Sequence, residues 1–187
     1  MKIAFPSLLL VAVFLIVSCS TLIAANPFQA AFDKILAEDN KVFKHKSGML
    51  VKVLKKGGDA AAKAPTLNDK CQTHYAGFLL NQDGTDGKKF DSSYDRGQPL
   101  ALAPSGVIQG WKTIMQEMGE GDKLKIWLPP SLGYGASGAG GVIGPNAALV
   151  FTLEIIKVQG TGVSAEVAHS QWKTNVGKEW DEIEASE

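Results

Sequence analysis

Asp91 is the side chain of this 187-residue chain best placed to do chemistry. It sits in Lys89-Phe90-Asp91-Ser92-Ser93, a carboxylate beside a large aromatic ring. Burial against Phe90 raises the pKa of such a group, and Arg96, close along the chain, lowers it through a charge-assisted bond. Two readings follow for Asp91. It touches a substrate while Arg96 holds it, or it forms a structural ion pair or turn cap. Both can hold together. Other candidates offer less. Gly133-Tyr134-Gly135-Ala136-Ser137-Gly138 spells G-x-G-x-x-G, but Pro129-Pro130 precedes it and a glycine-rich loop follows, so a dinucleotide site is rejected. His45, His74 and His169 share no ligand spacing, so no metal is expected, and no other cofactor is implied. No Ser/His/Asp nucleophile is visible. Cys71 lies in an expected strand and reads as buried and inert.

Four islands order the apolar and aromatic residues around Asp91. They are Lys89 to Ser93, Val107-Ile108-Gln109-Gly110-Trp111, Leu132-Gly133-Tyr134-Gly135 and Ala148-Leu149-Val150-Phe151. Together they resemble the FKBP-type peptidyl-prolyl cis-trans isomerases over roughly Ser47 to Val158. The resemblance implies a reaction without nucleophile, metal or cofactor. Amide resonance sets a barrier near ~20 kcal/mol to X-Pro rotation, which then takes roughly tens to hundreds of seconds. Turnover at about a thousand per second needs a barrier lower by roughly 7 kcal/mol. Resonance places negative charge on the carbonyl oxygen and is strongest in water. An apolar cup that strips water from that oxygen favours the twisted, less polar amide.

The resemblance also implies where that cup lies. Trp111 is its floor, under the prolyl ring. Tyr75, Phe90 and Phe151 are walls, with Val107, Ile108 and Leu100 beside them. The Ile108 backbone N–H and the Tyr134 hydroxyl donate to substrate carbonyls, and Asp91 sits at the rim, supported by Arg96. Val142 and Ile143 are the apolar tip of a flap spanning Ser137 to Pro145. Phe90, Asp91 and Tyr134 are the expected catalytic residues. The chain departs from the family at Leu100, where some relatives carry an aromatic wall, and at Gly106 and Ala139, which replace larger polar residues. The Leu100 to Val107 connection is also short. These changes imply a smaller rim. The implied partners are proline-containing polypeptides, with the macrolides tacrolimus and rapamycin less secure. A second function stays open: a non-catalytic chaperone or binding module for Pro-containing segments. Pro129, Leu132, Val142 and Ile143-Gly144-Pro145-Asn146 resemble the exported, macrophage-infectivity-potentiator-like branch.

These residues need elements to position them. Asn26-Pro27 reads as a helix start, and Phe28, Phe32, Ile35, Leu36 and Phe43 recur at helical spacing, predicting an amphipathic helix over about 27–42. It is too short for a dimerising stalk, so a monomer is expected. Strands are predicted at Met49 to Leu54 and Cys71 to Leu80, with a hairpin loop over Asn81 to Lys89. Trp111 to Met118 fits a short helix. Leu124, Ile126 and Leu128 alternate with Lys125 and Trp127 as a half-buried strand, and Ala147 to Val158 is a final long one. Ala60 to Pro65 reads as a low-complexity connector. Ser164 caps a tail helix whose stripe is Ala168, Trp172, Val176 and Ile183, either packed on the domain or open to a partner, with packing favoured. The fold class is α+β: an antiparallel, strongly twisted sheet wrapped over a short helix, with flanking N- and C-terminal helices.

The totals set outer bounds. Net charge is zero, with 45% hydrophobic and 20% charged residues, so no long-range field recruits nucleic acid. Met1-Lys2 followed by apolar Ile3 to Val17 reads as a signal segment. Cleavage near Ala24-Ala25 ranks first, a lipoprotein at Cys19 second and an uncleaved anchor third. The expected organisation is a signal peptide at 1–25, a helical segment at 26–46, an isomerase domain at 47–158 and a helical tail at 159–187. Such a protein is exported: secreted, periplasmic or in the ER lumen.

Overall fold

The computed structural model describes residues 28–58 and 61–186. The signal segment with Cys19, and the Asn26-Pro27 helix start, lie outside the described residues. Helix α1 (Gln29–Glu38) opens the described chain, followed by strands β1 (Val42–Lys44), β2 (Leu50–Lys55) and β3 (Lys63–Ala64). Then come β4 (Cys71–Leu80), β5 (Asp86–Ser92), β6 (Leu100–Leu102) and helix α2 (Gln109–Met115). Strands β7 (Lys123–Leu128), β8 (Leu149–Val158) and β9 (Val163–Ser164) follow, then α3 (Ala165–His169), α4 (Trp172–Val176) and a 3-10 turn at Trp180–Glu182. The main sheet runs β1-β2-β7-β8-β4-β5, with β6 also on β4, and every pairing is antiparallel. This is the expected α+β class.

Alternation along the strands sends side chains to two separate cores. Met49, Val51, Val53, Leu124, Ile126, Leu128, Leu149, Phe151 and Leu153 pack with Trp111, Ile114 and Met115 of α2 on one face. Leu50, Trp127, Val150 and Leu80 pack with Ala31, Phe32 and Ile35 of α1 on the other. The approach of α2 is close because residue 110 has no side chain. A Cβ on Gly110 would lie 2.6 Å from a Leu128 methyl. Trp127 is therefore not on a half-exposed face as expected. It is 5% exposed because α1 covers it.

Several expected boundaries move, each for a local reason. Helix α1 ends at Glu38, not near 42, because the Asp39 carboxylate accepts from the Lys41 backbone N–H (2.9 Å) and from Lys52 Nζ (2.6 Å). A side chain that bonds its own backbone two residues on favours a turn over another helical residue. Phe43 belongs to β1 instead. The hairpin loop is shorter than Asn81 to Lys89. Asp83 accepts from the Thr85 N–H and Gly84 takes φ +88, which completes the turn, and β5 begins at Asp86. Within the expected connector, Lys63 and Ala64 pair with Ser164 and Val163, so the strand 149–158 is not the last. The tail is two short helices rather than one. Ser164 caps the first, its hydroxyl accepting from the Val167 N–H. Gly177 ends the second in the left-handed region at φ +81, where glycine is favoured. Ala168, Trp172 and Ile183 are buried, so the stripe packs on the domain.

Candidate active site

Strand β4 carries Tyr75 into the α2 face, and its neighbours β5 and β8 bring Phe90 and Phe151 alongside. Gly77 lets those two rings meet above the sheet. A Cβ there would lie 2.6 Å from Phe90 and 2.7 Å from Phe151. Trp111 packs edge-on to Tyr75 and to Phe151, each at 5.0 Å between centroids, and Phe90 meets Phe151 at 5.6 Å and 87°. Such perpendicular pairs suit the ring quadrupoles and add roughly 0.5–1.5 kcal/mol each beyond area burial. These rings enclose a cavity of about 430 Å³. Leu100, Gly106, Val107, Ile108, Asp91 and Tyr134 complete its lining. A second cleft of about 510 Å³ lies elsewhere, between the tail and the Gly57-Gly58 segment, and its lining mixes carboxylates such as Glu120, Glu166 and Asp181 with Trp180 as its one large apolar ring. It offers no apolar cup.

The cavity's polar groups are few and fixed. Asp91 Oδ2 accepts from the Tyr75 hydroxyl at 2.5 Å, and Oδ1 accepts from Arg96 Nη1 and from the Ser92 N–H at 2.8 Å. Arg96 Nη2 also donates to the Tyr75 hydroxyl at 2.8 Å, and its guanidinium lies 5.6 Å from the Tyr75 ring centroid. Partial burial pushes the Asp91 carboxyl up, but the Tyr75 and Arg96 hydrogen bonds outweigh it and hold the pKa below its ordinary value. Asp91 is therefore a standing negative charge at neutral pH. Burial, then the Asp91 charge, raises the Tyr134 pKa; burial, then the hydrogen bond to Asp91, raises that of Tyr75 against the opposing pull of Arg96, so both hydroxyls keep their protons. Ile108 is the N-cap of α2, so its N–H precedes the helical ladder while its carbonyl accepts from Lys112 at 2.9 Å. Trp111 is 5% exposed, and its indole N–H has no hydrogen-bond partner among the described residues.

Nearly all the expected site residues meet in this one cavity. Arg96 stands behind Asp91 rather than in the lining. Val142 and Ile143 do not line it. Ala139 and Ile143 exchange backbone hydrogen bonds at 2.9 and 3.0 Å, closing a tight loop tip. Consecutive side chains there diverge: Ile143 turns into the main core at 7% exposure, and Val142 faces solvent at 45%. Sequence reasoning missed Gly77 and Ser93. A glycine inside a strand with no turn signal marks a close approach, and that was the available clue to Gly77. Ser93 is fully buried, accepts from the Tyr75 N–H at 2.7 Å through Oγ and donates its own N–H to the Tyr75 carbonyl at 2.9 Å. It pins Tyr75 beside Asp91, and nothing in its spacing announced that.

Comparison with known proteins agrees with this architecture. The family model for FKBP-type peptidyl-prolyl cis-trans isomerases matches residues 61–156. The chain is 39% identical over 122 residues to the macrophage infectivity potentiator of Trypanosoma cruzi, across 64% of this chain and 59% of that protein. It is 44% identical over 114 residues to an FK506-binding protein of Neisseria meningitidis serogroup B, across 59% of this chain and 96% of that one. The crystal structure of a peptidyl-prolyl cis-trans isomerase from Pseudomonas syringae pv. tomato aligns with a TM-score of 0.59 and 32% identity, covering 72% of this chain and 94% of that one. The chain thus spans about three fifths of the length of the Trypanosoma relative. The matched segment holds every residue that lines the aromatic cavity, and with it the chain belongs to the FKBP-type peptidyl-prolyl cis-trans isomerase family.

Proposed function

We propose that this protein catalyses cis-trans rotation of X-Pro bonds in polypeptide substrates, assisting their folding. The aromatic cavity around Trp111 is the observation that carries the reading. A prolyl ring seated on the indole leaves its imide carbonyl against apolar walls instead of water. That removes solvation from the planar, more polar ground state and lowers the barrier to the twisted amide. The Ile108 N–H and the Tyr134 hydroxyl hold the flanking carbonyls. Asp91 contributes a fixed field at the rim and transfers no proton, since its carboxylate is held ionised and rotation breaks no bond to hydrogen. A proline-isomerisation assay on a tetrapeptide tests this. The folded protein should accelerate the reaction, and Asp91→Leu and Tyr134→Phe should each reduce kcat/KM about tenfold or more, roughly 1.4 kcal/mol or more of transition-state stabilisation. A folded, inactive wild type would overturn the proposal.

Export to a secreted, periplasmic or ER-lumenal compartment is part of the proposal and rests on the apolar run Ile3 to Val17 after Lys2. The N-terminal mass of the exported protein separates cleavage near Ala25 from acylation at Cys19. The rim bears on a second reading. Leu100 is 43% exposed at the mouth, and Gly106 adds no side chain there. A shallow rim supports binding of extended Pro-containing segments, as a chaperone does, more than tight capture of bulky macrolides. Binding of such segments without turnover would favour that reading.

A further inference from the structure

The family match ends at residue 156, but the hydrophobic core does not. Trp172, Trp180 and Ile183 of the tail join the cluster that contains Met115, Met118 and Trp111. Trp172 is fully buried, and its Nε1–H donates to the Glu117 carbonyl at 3.0 Å. Glu117 directly follows Gln116, the C-cap of α2, in the region where helix carbonyls lack partners of their own. Asn175 Nδ2 donates to Glu117 Oε1 at 2.5 Å, and the Asn175 carbonyl accepts from the Lys46 N–H at 2.7 Å. His45 reaches the same carboxylate. Its Nε2 lies 3.2 Å from Glu117 Oε1, and its Nδ1 lies 2.7 Å from the Ser47 hydroxyl oxygen and 3.1 Å from the Ser47 backbone nitrogen. The tail therefore grips the end of α2 opposite the one that carries Ile108 and Trp111.

A helix of seven residues does not hold its place by its own hydrogen bonds. It is about 10 Å long at 1.5 Å per residue and moves as a short rod, so its tilt is set by what holds each end. Gly110 against Leu128 fixes one end, and the tail fixes the other. We propose that Trp172 and Asn175 are positioning residues for the isomerase site, setting through Glu117 and α2 where the indole floor and the Ile108 N–H lie. The functional unit then includes the tail, beyond the matched family segment. This inference rests on the isomerase reading for its kinetic consequence but not for its structural one.

The test uses the full chain and two readouts: kcat/KM well below the melting temperature, and the ¹H–¹⁵N resonances of the Trp111 indole and the Ile108 amide. Trp172→Phe keeps a buried ring and removes the donor to Glu117. It should lower kcat/KM about threefold to tenfold, as small misplacements of a site do, and shift both resonances. Asn175→Ala should act in the same direction. Ile183→Ala thins the tail packing and removes no hydrogen bond to Glu117. It should lower the melting temperature while kcat/KM and both resonances stay put. The proposal fails if Trp172→Phe leaves both readouts unchanged, or if Ile183→Ala moves them equally. Should Trp172→Phe not fold, Asn175→Ala decides by the same criteria. An inactive wild type defeats the isomerase reading, and the resonances still decide the positioning claim.

Discussion

At the scale of single residues, the site is defined by groups whose protonation does not change near neutrality. Asp91 has its pKa lowered by Tyr75 and Arg96 against a burial penalty. A depressed carboxylate contributes stability above its unfolded value near about 3.9, and that contribution is lost as pH falls through the folded value. Tyr75 and Tyr134 have raised pKa values, so their folded-state contribution is complete below about 10 and fades only in alkali. The expected pH profile of kcat/KM is flat within about twofold from roughly pH 5 to 9, with the acid limb below about pH 4 belonging to Asp91. A bell centred near neutrality would mean proton transfer in the reaction and contradict the desolvation mechanism. Asp91→Asn keeps the shape and removes the charge. It should cost about tenfold in kcat/KM, roughly 1.4 kcal/mol, and leave Arg96 and the Tyr75 hydroxyl without their anionic partner. Titrating kcat/KM of this variant into acid, below about pH 4, should show no limb from residue 91.

At the scale of elements, β4 is the strand on which the site depends. It pairs with β8 on one edge and with β5 and β6 on the other, so three strands deliver Phe151, Phe90-Asp91 and Leu100 around Tyr75. Gly77 makes this convergence sterically possible. Gly77→Ala places a methyl inside contact distance of both Phe90 and Phe151. Overpacking of this kind costs about 1–3 kcal/mol, so urea midpoints should fall and KM should rise as the walls splay. Unchanged kinetics in that variant would show that the two rings can shift without disturbing the cup. Register alone accounts for the flap. Ala139 and Ile143 close the tip, and the next position outward leaves Val142 in solvent.

At the scale of the whole molecule, the sheet separates two cores with different duties. The α2 face holds the cavity, and the α1 face is a cover of Ala31, Phe32 and Ile35 over Leu50, Trp127 and Val150. Phe32→Ala opens a void in the second core. It should cost about 3–5 kcal/mol of stability while kcat and KM stay within about twofold, because no residue of that cluster lines the aromatic cavity. Chemical denaturation and the tetrapeptide assay on the same sample check both halves of that expectation. A large kinetic change would mean the two faces are coupled through the sheet.

The strands Cys71–Leu80 and Leu149–Val158 and the short helix through Trp111 were legible in the chain itself, and the aromatic residues that line the cavity were legible through the family resemblance that their motifs carry. Their periods are local, and the motif order around Phe90, Trp111, Tyr134 and Phe151 is linear information. Long-range contacts decided the rest. Whether Trp127 is covered depends on a helix some ninety residues earlier. Ser93 matters because β4 lies beside it, and Trp172 matters because the tail returns to the end of α2. Spacing along a chain shows which faces are apolar. Only the tertiary structure shows which apolar faces meet, because burial is a property of neighbours that the sequence does not bring together.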